Sequence, residues 1–401
     1  MNERNAMAAL ADRWDIHPDH FWLRGHSPEK IIQFEEKLGM WAVFGYPEVV
    51  GILGDPATFS SDLARRFLPD ADEALFDGNL AQTDPPEHRK LRKLAAHAFT
   101  PKVVASLEPR IKEITHELLD AVDNPDRIEM VADLANPLAV IVIAELLGVP
   151  SGDRVLFKKW AKEMFESANE FSLADNEELE RDLKDRTEQA GHMNDYLREH
   201  VVDRRRTPRD DLLSKLVHAQ IDGERLTDTQ VINFAGLLLF AGHVTTAMLL
   251  GNTVLCLDAH PGQTRQLRDD RSGMTGVIEE SLRFLSPFAT SYRVTNTEVE
   301  IAGQKVGANQ MIKVWLSAAN RDERQFTDPH TFDVRRDPNP HIGFGRGIHF
   351  CLGAPLARTE GRIALDIMLD RFAGLAVDPD QPPSFMPTPD FVGVRSLGLL
   401  T

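Results

Sequence analysis

The segment that decides the fold is residues 344–353, which read Phe-Gly-Arg-Gly-Ile-His-Phe-Cys-Leu-Gly. Its three glycines allow the backbone to turn tightly around Cys351 and to approach a flat ligand closely. Backbone N–H groups in such a loop, and the N-terminus of a helix after it, stabilise a thiolate. The alternative is a buried structural cysteine beside a glycine-rich turn, which is far commoner for any one cysteine. These residues alone leave both interpretations open.

A long central helix is predicted upstream of this segment. It begins at Thr227, which has capping-box spacing to Gln230, and it continues to about Ala259 because Pro261 breaks it. That is roughly 30 residues, or about 45 Å at 1.5 Å per residue. Residues 234–250 are apolar on every face. We therefore expect this helix to be buried through the centre of the molecule.

The rest of the chain is predicted to be mainly helical, with few strands. Proline and N-cap signals predict helices over residues 27–39, from Thr100, over residues 176–204, and after Cys351 with Pro355 in the first turn. Alternating apolar residues predict strands over residues 40–45, 294–301 and 304–314. The predicted fold class is mainly α with a minor antiparallel β part.

Composition limits the function classes. Of the 401 residues, 42% are hydrophobic and 27% charged, which is ordinary for a globular protein with a large core. No linker, repeat or low-complexity tract divides the chain, so we expect one domain over residues 1–401. The formal net charge of −17 argues against a nucleic-acid partner. The two cysteines fit a reducing compartment.

We expect no segment to cross a membrane. The most apolar stretches, residues 134–149 and 231–250, are interrupted by polar side chains, and a spanning helix needs roughly 20 predominantly apolar residues. The N-terminus has no apolar signal core. These features predict a cytoplasmic protein.

Three further motifs are weak when taken singly. Glu280 and Arg283 share a helix face and can form a salt bridge, although such pairs are usually solvated. His88 and Arg92 share a face in the same way, and an ordinary basic surface is the alternative. Residues 241–246 read Ala-Gly-His-Val-Thr-Thr in the central helix, where a threonine commonly bonds back to a carbonyl four residues earlier.

Together these segments resemble the cytochrome P-450 superfamily, in particular its soluble bacterial, three-component, ferredoxin-dependent type. Residues 344–353 match the pattern F-G-x-G-x-H-x-C-x-G, Glu280 and Arg283 match E-x-x-R, and residues 241–246 resemble A-G-x-[D/E]-T-T. The resemblance covers essentially the whole chain. It implies a P-450 fold with haem between the long central helix and the cysteine loop.

The resemblance implies haem b (iron protoporphyrin IX) as cofactor, with Cys351 as the axial thiolate and metal ligand. Cys256 lies in an apolar helical stretch and is expected to be a packing residue. The further residues with implied cofactor contacts are His88, Arg92, Arg293, Phe344, His349 and Gly353.

The resemblance also implies a structural cluster around Glu280 and Arg283. Many members of the family add an arginine before the cysteine loop, but here Thr331 occupies its place. We expect Arg336 to be the third member.

Thr245 and Gly242 correspond to catalytic positions of the family, where the threonine helps deliver protons during oxygen activation. This chain departs from the pattern at Val244, where an acid is usual, and a valine cannot relay protons. Three hypotheses follow: protons arrive through water and a substrate hydroxyl, the enzyme accepts peroxide directly, or it catalyses an unusual oxidation. We favour the first, because Thr245 is retained.

The implied reaction is hydroxylation or epoxidation of a lipophilic small molecule, such as a macrolide, polyketide or terpenoid, in natural-product biosynthesis. By resemblance, the pocket draws on residues 62–84 and 165–190. The individual lining residues expected are Leu238, Ala241, Phe288, Ala289, Phe391 and Val392.

The implied partners are a ferredoxin and its NAD(P)H-fed reductase, and the protein is expected to be a monomer. A basic patch in this acidic chain fits an acidic ferredoxin; its residues are Arg89, Lys90, Lys93, Arg346, Arg358 and Arg362. Two rival functions remain open. One is a peroxide-driven or non-oxygenating haem-thiolate enzyme, and the other is a non-catalytic haem protein.

Overall fold

The structure is a computed structural model that describes residues 10–67, 76–96, 99–124, 126–153, 155–157, 159–160, 176–221 and 223–401. Within these ranges helices predominate over strands. The helices are α1 (Tyr46–Gly54), α2 (Leu63–Phe67), α3 (Glu87–Ala96), α4 (Pro101–Asp120), α5 (Asn136–Leu147), α6 (Asn176–Arg206), α7 (Leu212–His218), α8 (Asp228–Ala259), α9 (Pro261–Asp269), α10 (Met274–Phe284), α11 (Leu316–Ala319) and α12 (Ala354–Arg371).

Helix α8 is the predicted central helix, and its start is confirmed. The Thr227 hydroxyl accepts from the Gln230 backbone N–H at 3.1 Å, and the Gln230 side chain accepts from the Thr227 N–H at 3.0 Å. This reciprocal capping box satisfies two donors that a helix start otherwise leaves open. Helix α8 packs against α5, α6, α10 and α12, so it runs through the core as expected.

Two helical segments are long and apolar enough to cross a membrane, judged by length and composition. They are Met130–Leu147, with a mean hydropathy of 1.9, and α8, with 1.7. In the fold, 78% and 67% of their respective most apolar stretches are buried inside the protein. Burial of that kind is typical of the core helices of a soluble domain.

The strands form small sheets beside the helical part. They are β1 (Ile32–Glu35), β2 (Met40–Val43), β3 (Phe59–Ser60), β4 (Arg127–Glu129), β5 (Gln220–Ile221), β6 (Glu224–Arg225), β7 (Thr290–Thr295), β8 (Val299–Ile301), β9 (Gln304–Val306), β10 (Met311–Trp315), β11 (Ala376–Val377), β12 (Ser384–Phe385), β13 (Val394–Ser396) and β14 (Gly398–Leu400). In the described chain the largest sheet has the order β1-β2-β10-β7-β3. Its pairings are antiparallel apart from β2 with β10, which is parallel.

The predicted helix over residues 27–39 is wrong. Residues 32–35 form β1, which pairs with β2 from Ile32 opposite Val43 to Glu35 opposite Met40. The proline signal at Pro28 is local, whereas ladder hydrogen bonds and burial of Ile32 in the sheet are tertiary and outweigh it. Gly39, expected to stop a helix, has a φ of 66° and closes the hairpin turn.

The other predicted elements are confirmed, with small changes at their ends. Helix α4 is capped by Thr100, whose hydroxyl accepts from the Val103 N–H at 3.4 Å. Helix α12 follows Cys351, with Pro355 in its first turn. The charged helix is α6, and the predicted strand over residues 40–45 contains β2. Each of the other two predicted strands is divided: residues 294–301 hold the end of β7 and all of β8, and residues 304–314 hold β9 and most of β10. The mainly α class with minor sheets is confirmed.

Candidate functional site: a thiol loop facing an open helix surface

The cysteine loop is folded by its glycines. Gly345 and Gly347 have φ angles of 68° and 71°, a region that L side chains rarely adopt. A Cβ on Gly347 would lie 2.3 Å from the carbonyl oxygen of Leu53, so no larger residue fits there. The Cys351 N–H donates to the carbonyl of Phe344 at 2.9 Å and closes the loop.

The Cys351 thiol lies at the start of α12, where burial raises its pKa. Backbone N–H groups of Gly353 and Ala354 and the charges of Arg92 and Arg358 oppose that effect and stabilise the thiolate. The N-terminal dipole of a helix acts in the same direction as these donors. The loop therefore presents a sulfur prepared to carry negative charge once a positive partner binds it. Cys256 is fully buried, as predicted for a packing residue.

Helix α8 presents an open stripe in the middle of an otherwise buried span. Leu237, Phe240, Ala241, Val244 and Thr245 share one face at helical spacing, and each retains exposed surface. The Thr245 hydroxyl donates to the Ala241 carbonyl oxygen at 2.6 Å. An exposed alanine in a core helix marks a cavity wall rather than a molecular surface.

Gly242 lies on a different side of α8 from the open stripe. A Cβ there would meet the Ile143 side chain at 3.0 Å. The structure therefore places Gly242 where α8 and α5 approach closely. A packing role explains the missing side chain without any reaction step.

Four basic side chains converge beside the loop, namely His88, Arg92, Arg293 and His349. The rings of His88 and His349 lie 4.4 Å apart between centroids. Burial, followed by the charges of Arg293, His88 and Arg92, lowers the pKa of His349 to about 3. Burial and Arg92 lower the pKa of His88 against the opposing charge of Asp84. Anions bound among these groups would relieve the repulsion between their positive charges.

These donors are incompletely satisfied among the described residues. Neither ring nitrogen of His88 has a hydrogen-bond partner there, and neither has His349 Nε2. Arg293 is 6% exposed, and within the described part of the chain its side chain donates to the Ser291 hydroxyl and the Tyr292 carbonyl. Buried polar groups normally have partners. The cluster therefore fits a ligand that brings carboxylates.

The Glu280 cluster forms as a fully buried network. Arg283 donates to Glu280 through two hydrogen bonds of 2.7 and 2.8 Å, and both side chains are 0% exposed. Arg336 Nε lies 3.3 Å from Glu280 Oε1. The Thr331 carbonyl accepts from Arg283 at 2.9 Å and from Arg336 at 3.1 Å. Position 331 therefore contributes its backbone, which any residue supplies.

An aromatic pair stands at the other end of the open stripe. Phe288 and Phe391 are joined by an isolated β-bridge, with ring centroids 4.8 Å apart. Phe288 remains 38% exposed although its neighbours in sequence are buried. Phe391 packs against Met248 and Met386, and so do Phe240 and Val244 of the stripe. These aromatic rings are therefore continuous with the open face of α8.

The predicted lining residues divide into two groups. Ala241, Phe288 and Phe391 retain exposed surface, whereas Leu238, Ala289 and Val392 are 8%, 0% and 1% exposed. The second group is buried in the core. Of the predicted wall segments 62–84 and 165–190, residues 68–75 and 165–175 lie outside the described residues. Leu237, Phe240 and Val244 were missed, although helical spacing from Ala241 indicates them.

The predicted basic patch is smaller than expected. Arg358 donates to Glu279 at 2.6 Å, and Arg362 donates to Glu108 at 2.8 Å. These pairs leave less positive charge for a partner. Arg89, Lys93 and Arg346 are exposed and Lys90 is half-buried. Arg92 donates to the Phe350 carbonyl at 2.6 Å, which joins α3 to the cysteine loop.

A glycine-folded cysteine loop before a helix, together with an open stripe on a long core helix, is typical of haem-thiolate proteins. The family model named Cytochrome P450 matches residues 16–400, and the chain belongs to that family. It is 44% identical to cyclomarin C epoxidase of Salinispora arenicola over 380 residues, which are 94% of each chain. It is 39% identical to erythromycin C-12 hydroxylase of Saccharopolyspora erythraea over 362 residues, 90% of this chain and 88% of that one.

The fold is also similar to solved structures. One is a post-tailoring hydroxylase involved in himastatin biosynthesis, with a TM-score of 0.87, 53% identity, and coverage of 98% of this chain and 99% of that one. The relatives are hydroxylases and epoxidases of natural-product biosynthesis, so the chain is an oxidoreductase of the P450 monooxygenase type. The family implies haem with a cysteine thiolate ligand, a small-molecule substrate and redox partners.

The residues present fit that cofactor. A thiol at a helix N-terminus suits a ferric or ferrous iron, because thiolates bind such ions. The unsatisfied nitrogens of His88 and His349 and the buried Arg293 suit two propionates. The exposed stripe of α8 suits the flat apolar face of a porphyrin.

Proposed function

We propose that this protein is a haem b monooxygenase in which Cys351 is the axial ligand. The main support for the proposal is the environment of the Cys351 sulfur. It accepts hydrogen bonds from backbone N–H groups at the start of α12 and lies in a loop folded by glycines. Phe344 and Gly353 shape that loop. When bound, haem supplies the chemistry that inserts one atom of dioxygen into the substrate and releases the other as water.

The four basic side chains are proposed to hold the cofactor. Arg293 and Arg92 provide permanent charge, and His88 and His349 provide ring N–H donors. Carboxylates beside these groups oppose the burial effects that lower the pKa of both histidines. Binding of haem should therefore restore proton affinity to this cluster and fix the cofactor's orientation.

Thr245 is proposed to hold a proton near the reacting oxygen. Its hydroxyl donates to the Ala241 carbonyl at 2.6 Å and also offers acceptor lone pairs toward the cavity. Val244 beside it provides no proton, so water and a substrate hydroxyl are proposed to complete the relay. Val244 also favours one rival function, direct use of peroxide, since peroxide already carries the protons.

The proposed substrate is a lipophilic natural product, and the proposed reaction is hydroxylation or epoxidation. Support comes from the apolar wall formed by Ala241, Phe288 and Phe391 and from relatives named for cyclomarin C, erythromycin and himastatin. An apolar pocket with few polar groups selects size and shape more than charge.

A ferredoxin with its reductase is proposed to deliver electrons, docking on the surface formed by Arg89, Lys90, Lys93 and Arg346. Acidic ferredoxins and basic surfaces attract each other over long range. We further propose that residues 1–401 act as one domain, as a monomer, in the cytoplasm.

The test is the absorption spectrum of the reduced protein under carbon monoxide. Wild type should show the strongly red-shifted Soret band of thiolate-ligated haem. Cys351→Ser should retain haem but lose that shift, whereas Cys256→Ser, the matched control, should keep it. A shift that survives Cys351→Ser, or that is missing in wild type with haem bound, would reject the ligand assignment.

Peroxide separates the favoured function from its rival. Turnover with ferredoxin, reductase and NAD(P)H supports the monooxygenase. Turnover with hydrogen peroxide and none with the reductase chain supports the peroxide-driven enzyme.

A further inference from the structure

An ion pair between Lys313 and Asp390 lies next in the chain to Phe391, and the Asp390 side chain is 17% exposed. Lys313, in the middle of β10, is 0% exposed, and its Nζ lies 3.2 Å from Asp390 Oδ1. The ammonium group also stands over the ring of Trp315 at 4.6 Å and near that of Tyr292 at 5.8 Å. Removing one charge from such a pair leaves the other buried without compensation. The pair therefore holds the backbone around Asp390 in place.

Asp390 is fixed to β7 by further contacts. Its Oδ1 accepts from the Thr290 hydroxyl at 2.6 Å and from the Tyr292 hydroxyl at 2.8 Å. Its backbone carbonyl accepts from the Ala289 N–H at 2.9 Å. One carboxylate thus joins the segment before β13 to the strand that begins just after Phe288.

The next residue, Phe391, is held from the opposite side. Its carbonyl accepts from Nε2 of His20, which is 1% exposed, at 3.2 Å. Burial, followed by the charges of His17 and Lys313, lowers the pKa of His20 to about 3. A neutral His20 is therefore the form that meets Phe391. Asp390 is therefore held by its hydrogen bonds and ion pair, and the Phe391 carbonyl is held by His20.

The Phe391 ring lies against Phe288, with ring centroids 4.8 Å apart. Phe391 also packs against Met248 and Met386, the same two methionines that Phe240 and Val244 of the open stripe pack against. A shift of Asp390 would therefore move the wall of the site directly. Positions held by fixed partners determine what an apolar pocket accepts.

We propose that the Lys313–Asp390 ion pair is a positioning element that sets which bulky ligands the distal pocket accepts, by fixing Phe391 against Phe288. This inference rests on the proposed haem site. Lys313 acts through Asp390 and touches no reacting atom. Loss of the pair should loosen the wall and leave the iron and its small ligands unaffected.

The experiment compares two haem-iron ligands of different size by Soret titration of the holoenzyme. Imidazole reaches the iron without touching the wall, whereas clotrimazole is a bulky triaryl imidazole that must pack against it. In Lys313→Met we expect clotrimazole affinity to fall at least tenfold and imidazole affinity to stay within twofold. Lys305→Met, an exposed lysine on β9, should change neither.

Two further variants protect the test against simple misfolding. Asp390→Asn removes the other partner of the pair, and the double variant Lys313→Met/Asp390→Asn leaves neither charge. The double variant should unfold closer to wild type than Lys313→Met does, because no charge is left without its partner. Both variants should bind clotrimazole more weakly than wild type does and bind imidazole with unchanged affinity. Equal affinities in wild type and variants, or equal losses for both ligands, would overturn the proposal. Azoles bind haem iron whether or not Cys351 is its ligand. A missing carbon monoxide shift would therefore reject the ligand assignment of Cys351 without affecting this test.

Discussion

At the scale of single residues, Val244 is the departure with the clearest chemical consequence. It lies next to Thr245 on the open stripe and packs against Met248 and Met386. A carboxyl group introduced there would have an apolar environment, which raises a carboxyl pKa and keeps more of it protonated at neutral pH. A protonated acid beside Thr245 is a proton source that the native chain lacks.

Val244→Glu should therefore raise the yield of product per NAD(P)H several-fold and lower peroxide release. The assay uses a compound that shifts the haem spin state and yields a detectable product. Val244→Gln matches the glutamate in size and polarity without an acidic proton, so it should leave the yield near that of wild type. An equal gain in both variants would show that polarity or shape matters, and no gain in either would show that the native proton route suffices.

Single residues also show what the sequence predicts well. The cysteine loop needs glycine at positions 345 and 347 because their φ angles are positive, and this constraint is visible in the sequence itself. Helical spacing likewise brings Ala241 and Thr245 to one face. By contrast, Lys313 and Asp390 are far apart in sequence and match no motif. Their pairing depends on sheet register and on the path of the segment before β13, so only the structure reveals it.

At the scale of elements, helix α10 depends on one buried carboxylate. Glu280 accepts from Arg283, from the Asp333 N–H at 2.9 Å and from Asn339 at 3.1 Å, besides its contact with Arg336. It therefore joins α10 to the chain that leads into the cysteine loop.

Glu280→Gln should lower the free energy of unfolding by about 3–5 kcal/mol, because it leaves a buried guanidinium without its counter-charge. Glu279→Gln is the matched control one residue away. Its carboxylate is 23% exposed and pairs with His341 and Arg358, so its loss should be about 1 kcal/mol or less. Urea unfolding of both variants measures the difference. Similar losses in the two would contradict a special role for the buried network.

Elements also mark where prediction from sequence fails. Capping at Thr227 and Thr100 was predictable because a cap is satisfied within a few residues. The strand at residues 32–35 was not, because its partners lie on β2 and its stability comes from sheet burial. Local signals at Pro28 cannot report that pairing.

At the scale of the whole molecule, charge is distributed unevenly. The chain carries a net charge of −17, yet Arg89, Lys90 and Lys93 project from α3, the helix that contacts the cysteine loop through Arg92. An acidic electron carrier is repelled by most of the protein surface and attracted to the basic surface of α3. Such contrast steers encounter and strengthens it at low salt.

Reversing Arg89 and Lys90 to glutamate should therefore slow reduction by ferredoxin at least tenfold at low ionic strength, with dithionite reduction unchanged. The rate for wild type should fall as salt rises, and the rate for the variant should respond much less, because screening then has little attraction to remove. The control reverses Arg225 on β6 and Lys305 on β9, both exposed, which alters net charge equally. Stopped-flow reduction under carbon monoxide measures all three proteins. If the control slows as much as the α3 variant, net charge alone governs the encounter, and the docking surface assigned to α3 is wrong.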